Sequence, residues 1–234
     1  MGAILFDAVK LIISGDREVF FIAFTSLRLA TASTLIAALF SIPLGIGLHF
    51  GRVPFKKPII TVLSSLMAVP TVVIGLVVFS LLSRSGPLGG LNLLFTPGAI
   101  VIGQTVLVVP ILTSLVHSGL SRMDPRFYET LITLGAGQRD VLKASILEAR
   151  YIIASALLAG FGRVIGEVGV SMMLGGNIRW YTRTMTTSIA LETSKGQFEL
   201  GLSLGLILLV LVFGWARLIG YTIFPFEHLV IPFI

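Results

Sequence analysis

The sequence predicts an all-α, polytopic membrane protein, and three observations carry that expectation. Hydrophobic residues make up 55% of the 234-residue chain and charged residues 12%, about half the charged share of a soluble domain. Five stretches, 20–48, 59–83, 98–117, 152–174 and 200–223, match the roughly 20 apolar residues that cross a bilayer core. The basic residues behind a pI near 10.1 sit beside these stretches. That placement suits orientation in a bilayer and argues against a nucleic-acid surface.

Taken in order, residues 1–19 come first. Ile4, Leu5, Ala8, Leu11 and Ile12 recur at helical spacing beside Asp7 and Lys10, which predicts a short interfacial helix. Phe6 stands where a myristoylation signal wants Ser or Thr. The start also lacks the charge pattern and small-residue cleavage site of a removed leader. Residues 20–223 form the expected transmembrane domain, and 224–234 a tail with no assigned role.

Arg28 lies near the expected outer end of the first span. The loop "GRVPFKKP" carries Arg52, Lys56 and Lys57, and the stretch 118–150 carries Arg122, Arg126, Arg139, Lys143 and Arg150. With Arg217, these outnumber Lys10, Arg17, Arg84, Arg179, Arg183 and Lys195 on the other side. The positive-inside rule then puts the amino terminus outside and both loops and the carboxyl terminus in the cytoplasm.

Pro43, Pro70 and Pro110 interrupt spans, where proline removes a backbone hydrogen bond and bends the helix. Helix shaping explains Pro43; Pro70, Thr71 and Pro110 lie in segments whose family resemblance, named below, implies a place near a translocation path. Arg163 and Glu167 lie four residues apart in the fourth stretch, so a continuous helix would put them on one side. They suit either the path or a self-neutralising pair that fixes packing, and the second reading carries more weight. Gly160, Gly162, Gly166 and Gly169 around them permit close helix approach.

Residues 124–150 predict two short helices and a tight turn. Asp124-Pro125 suits a helix start. Phe127, Leu131 and Leu134 share a face, and "GAG" at 135–137 suits a left-handed C-cap. Val141, Leu142, Ile146 and Ala149 then line one side of the second helix. A plain connecting hairpin fits this pattern. A structured connection of more than about 15 residues is more often functional, and this one offers Leu131, Leu134 and a bare Gly-Ala-Gly backbone to a partner groove. Further on, Arg179, Arg183 and Thr186 mark 175–199 as an external docking surface. Thr186 as the cap of "TSIALE" beside Arg183 would add an anion-guiding role.

Cysteine is absent, which excludes disulfides and thiolate chemistry. His49, His117 and His228 lie far apart in sequence and read as interfacial residues. No metal-ligand cluster, nucleophile–base set or paired carboxylate is evident, so no catalytic or metal residue is expected. No GxxxxGK[ST] phosphate loop occurs, so any ATP hydrolysis belongs to another chain.

"ETLITLGAG" followed by an amphipathic helix resembles the EAA motif of ATP-binding-cassette importer permeases. "VPTVVIGLVVFSLLSRSGPLG", "GQTVLVVPILTSLVHSGL", "GFGRVIGEVG" and "GGNIRWYTRTMTTSIALE" extend the resemblance to molybdate- and tungstate-type permeases over most of residues 20–220. Glu148, where that motif usually has proline, and "YTRTMTTSIALETSKG" resemble the tungstate branch. The resemblance implies about five transmembrane helices of the type I importer fold with a cytoplasmic coupling helix. It makes Glu129, Thr130, Leu131, Leu134, Gly135, Ala136 and Gly137 the expected ATPase-coupling residues. It further implies a plasma-membrane oxyanion permease, for tungstate or alternatively molybdate or sulfate. Expected partners are ATPase subunits using ATP and Mg, an external substrate-binding protein and a second copy of the chain, with no nucleic acid. A self-sufficient secondary transporter is the remaining alternative; it would ordinarily show repeated spans.

Overall fold

A computed structural model describes residue 10 and residues 13–223 apart from 52. The expected interfacial helix falls mostly, and the tail 224–234 wholly, outside the described residues. The first long helix, α1 (Arg17–Phe50), already takes in residues 17–19. Asp16 starts it by accepting from the backbone N–H groups of Glu18 and Val19 at 2.9 and 3.0 Å, which satisfies two of the free donors of the first turn.

The second apolar stretch is two helices, α2 (Lys56–Leu66) and α3 (Thr71–Leu82), bent by 100°. Pro70 explains the break: its extended ψ of 131° takes the chain out of the helix, and it has no N–H to continue the ladder. By contrast, Pro43 and Pro110 lie within α1 and α4 (Pro97–Ser121). The helix α4 opens with Pro97 at its first position and Thr96 Oγ1 accepting from Ala99 N.

Two short helices follow, α5 (Pro125–Thr133) and α6 (Gln138–Glu148), then α7 (Arg150–Ile165), which is bent 52° from α6. The expected fourth span does not run on to 174. It stops at Ile165, and a new helix, α8 (Gly169–Gly175), begins after a short break. Glycines at 162, 166 and 169 weaken the helix there, and Glu167 Oε1 accepts from Val170 N at 3.2 Å to start the next one. Two helices complete the described chain, α9 (Met185–Ser194) and α10 (Phe198–Ile223). Among the described helices, α1, α4 and α10 are long and apolar enough to cross a membrane, or up to five spans if each bent pair is one.

The core runs along α1 and α4. Ile22, Ser26, Ala30, Ser33, Ala37, Ser41, Gly45 and Leu48 make one buried stripe on α1 at helical spacing. Ile100, Gln104, Val108, Leu112, Val116 and Leu120 make its counterpart on α4. Lipid tails are as apolar as leucine, so burial from water does not drive this association; close packing of small residues does. A Cβ on Gly45 would stand 2.8 Å from Val116 Cγ1, and one on Gly160 would stand 2.7 Å from Leu112 Cδ2. At the centre Gln104 accepts from Ser33 Oγ at 2.8 Å and donates to Ser171 Oγ at 3.2 Å, so this buried amide ties α1, α4 and α8 together. The opposite side of α1 exposes Phe20, Phe24, Leu35, Leu39, Phe40 and Leu44. An apolar face this long suits lipid and would be a liability in water.

Candidate functional site

The helix–turn–helix of α5 and α6 is built as its sequence suggests. Asp124 Oδ1 accepts from Arg126 N at 2.9 Å, and Pro125 takes the first helical position. Gly135 adopts φ +80°; its N–H reaches Ile132 O at 2.9 Å, while Ala136 N reaches Leu131 O at 3.0 Å. These bonds satisfy carbonyls left open at the end of α5. Gly137 precedes α6 without a side-chain cap.

Of the expected coupling residues, Glu129, Thr130, Leu134, Gly135 and Gly137 are exposed, and Leu131 and Ala136 are half-buried. Leu134 is 78% exposed, so it does not share the sheltered face of Phe127 and Leu131. On α6 the buried residues are Ser145 and Ala149, with Val141 half-buried, whereas Leu142 and Ile146 point outward. The expected apolar side was therefore drawn one residue too far round the helix. Ile132 (65% exposed) and Leu147 (67%) join Leu134 as exposed apolar side chains of the hairpin.

A cluster not anticipated from sequence connects this hairpin to the spans. His49, in the last turn of α1, and His117, on α4, have ring centroids 6.1 Å apart. Both Nδ1 atoms lie near Ser121 Oγ, at 3.3 and 3.2 Å. Tyr128 of α5 places its hydroxyl 3.5 Å from His49 Nε2 and stacks edge-on against Phe50. Lys56 Nζ donates to the His49 carbonyl at 2.9 Å, which binds α2 to the same point. Burial raises the Tyr128 phenol above its ordinary pKa, opposed by a hydrogen bond with Ser145. While His228 lies outside the described residues, His49 and His117, far apart in sequence, are thus neighbours. Their partners come from four separate segments, so no local spacing announces them.

Arg163 and Glu167 do pair, at 2.7 Å, but across the helix break instead of along one helix. Glu167 is 3% exposed and Arg163 40%. Thr186 Oγ1 donates to the Glu167 carbonyl at 2.9 Å, and Thr71 Oγ1 lies 3.0 Å from where a Cβ on Gly169 would stand. Thr71, Arg163, Glu167 and Thr186 therefore gather round one break, with Pro70 opening the helix that carries Thr71. Pro110 is buried within α4. Thr186 does not cap α9: Thr184 does, in a capping box with Thr187. Residues 184–188 are buried, which leaves 176–181 and 193–199 as the accessible parts of the stretch 175–199.

At the end of α1 away from the hairpin, Glu18 binds Arg179 through two hydrogen bonds and Arg183 through one at 3.4 Å. Arg183 is 12% exposed. Its charge faces a carboxylate that it shares with Arg179, so the geometry fastens 179–183 to α1. Among the described residues no group of three or more His, Cys, Asp or Glu is placed to hold a metal.

No protein-family model matches the chain. Known proteins nevertheless align along most of it. A probable anion ABC transporter permease of Haloferax volcanii is 41% identical over 81% of this chain and 84% of its own. The tungstate uptake system permease TupB of Peptoclostridium acidaminophilum is 41% identical over 88% and 90%, and that of Campylobacter jejuni 34% over 89% and 89%. A molybdenum permease, ModB of Azotobacter vinelandii, is more distant at 27% over 70% and 76%. A polytopic helical chain with a hairpin exposed at one end, aligned nearly end to end with such proteins, belongs to the permease subunits of ABC-type oxyanion transporters, in the family that includes TupB.

Proposed function

We propose that this permease carries tungstate inward through the plasma membrane, with α5 and α6 in the cytoplasm as the docking element for a separate ATPase that uses ATP and Mg. The observation that carries the reading is the exposed turn at Leu134–Gly137, held in shape by the left-handed Gly135, with Ile132 exposed just before it. Such a knob suits a groove on a partner, with glycine letting backbone approach backbone. Tungstate as cargo is supported by the TupB relatives at 34–41% identity against 27% for the molybdenum permease.

The amino terminus lies outside and the carboxyl terminus inside, as the basic loops favour. Two copies frame the path, and an external substrate-binding protein docks at 176–181, fastened to α1 by Glu18. The Glu167 break then serves helix packing, since a carboxylate gains an anion path nothing.

The test is reconstitution of the permease with the ATPase and the substrate-binding protein of the same transporter. ATP-dependent uptake of tungstate in preference to molybdate and sulfate is expected. Uptake without the ATPase would overturn the coupling role, and a preference for molybdate or sulfate would overturn the cargo.

A further inference from the structure

Beside the hairpin a cleft of about 490 Å³ opens between α4 and α7. Ser118, Gly119 and Arg122 line it from α4; Tyr151, Ser155 and Ala159 line it from α7. Close approach of the two helices shapes it, since a Cβ on Gly119 would overlap Ile152 Cγ2. The polar residues are in register. Ser114, Ser118 and Arg122 follow at intervals of four on α4, as do Tyr151, Ser155, Ala159 and then Arg163 on α7.

The two serine hydroxyls of this cleft lack a bond that many others in the bundle make. Ser26, Ser33, Thr113, Ser121 and Ser145 each donate to the carbonyl one turn back, which is the usual way a membrane helix quiets a hydroxyl. Among the described residues, Ser118 and Ser155 have no such bond and are exposed, so their O–H groups are available to a ligand. Nor does any carboxylate pair with Arg122: the nearby Asp124 accepts from Arg126 N at the cap of α5. Arg150 adds a second cation, its Nη2 donating to Tyr151 Oη at 2.7 Å. No Asp or Glu lines the cleft.

We infer that this cleft is a tetrahedral-oxyanion station on the cytoplasmic half of the translocation path, with Ser118, Ser155 and Arg122 as its donors. The inference rests on the importer reading above. The cleft is wide and open, so the anion sits there partly hydrated and leaves readily, as conduction requires. A phosphate headgroup of an anionic lipid shares this chemistry, and the test separates the two.

Because the chain has no cysteine, Ser118→Cys and Ser155→Cys each introduce a single, near-isosteric thiol into the permease subunit, whose labelling is read on that subunit within the assembled transporter. The two thiols are probed with anionic and cationic methanethiosulfonate reagents, in phosphatidylcholine and in phosphatidylglycerol nanodiscs. The expected result is a shift of about tenfold toward the anionic reagent relative to a free thiol, the enrichment a cationic cleft produces. Arg122→Gln abolishes the shift, Arg122→Lys restores it, and tungstate slows modification in both lipids. Rates unchanged by Arg122→Gln, or protection by phosphatidylglycerol and not by tungstate, would overturn the station. Normal ATP-driven tungstate uptake without tungstate protection removes the station alone. Absence of uptake of any oxyanion by the transporter with the unsubstituted permease removes the importer reading itself.

Discussion

Glu167 accepts a 2.7 Å hydrogen bond from Arg163 while its other carboxylate oxygen starts helix α8. One side chain thus neutralises a cation and caps the helix that follows the break. Glu167→Gln keeps the cap and loses the charge; Glu167→Ala loses both. The alanine variant is expected to lower stability further than the glutamine variant by about 1 kcal/mol, the value of a helix cap. Thermal unfolding of the purified permease in detergent measures the difference, and equal losses would refute the capping role.

Leu134 is 78% exposed and contributes little to the fold. Leu134→Asp should change stability by no more than about 0.5 kcal/mol, while weakening ATPase association by about 2 kcal/mol if it is a central anchor. Co-purification with the ATPase beside a melting curve of the permease alone checks both halves.

Gly135 has φ +80° and open space where a Cβ would stand. A substitution there is penalised by conformation and not by collision. Gly135→Val should cost about 1–2 kcal/mol in the turn and reduce substrate-stimulated ATP hydrolysis, whereas Gly135→Asn, tolerant of the left-handed region, should retain most of it. Equal activity of the two variants would place the coupling elsewhere.

Gly119 makes the opposite case, because its Cβ would overlap Ile152. Gly119→Ala should destabilise by about 1–3 kcal/mol through overpacking, and adding Ile152→Ala should recover much of that. A double-mutant cycle by thermal unfolding reads the coupling directly.

What could be read from the sequence was what neighbours in the chain decide. Asp124-Pro125 and Gly135 specify their turn through bonds spanning a few residues, so both were legible. Pro70 announced a break but not its 100° angle, which packing against α4 and α8 determines. The interruption at 166–168 was hidden because glycine and glutamate are compatible with a membrane helix, and Val170 N receives its partner only once the chain has turned. His49, Ser121, His117 and Tyr128 meet only in the folded bundle. Thr184 lost the cap to Thr186 on paper because three threonines within four residues are all of a type that caps helices; Ser26 Oγ accepting from Met185 N at 2.7 Å fixes the start of α9.

At 34 residues and 1.5 Å each, α1 is about 51 Å long, against about 30 Å of hydrocarbon. Glu18 fastens one end to 179–183, and His49 joins the other to Lys56 and to Tyr128 of the hairpin. A rod longer than the barrier it crosses, gripped at both tips, acts as a lever: a few degrees of tilt sweep its tips in opposite directions. On the proposed function, the docking surface at 179–183 and the hairpin are then linked through this one helix.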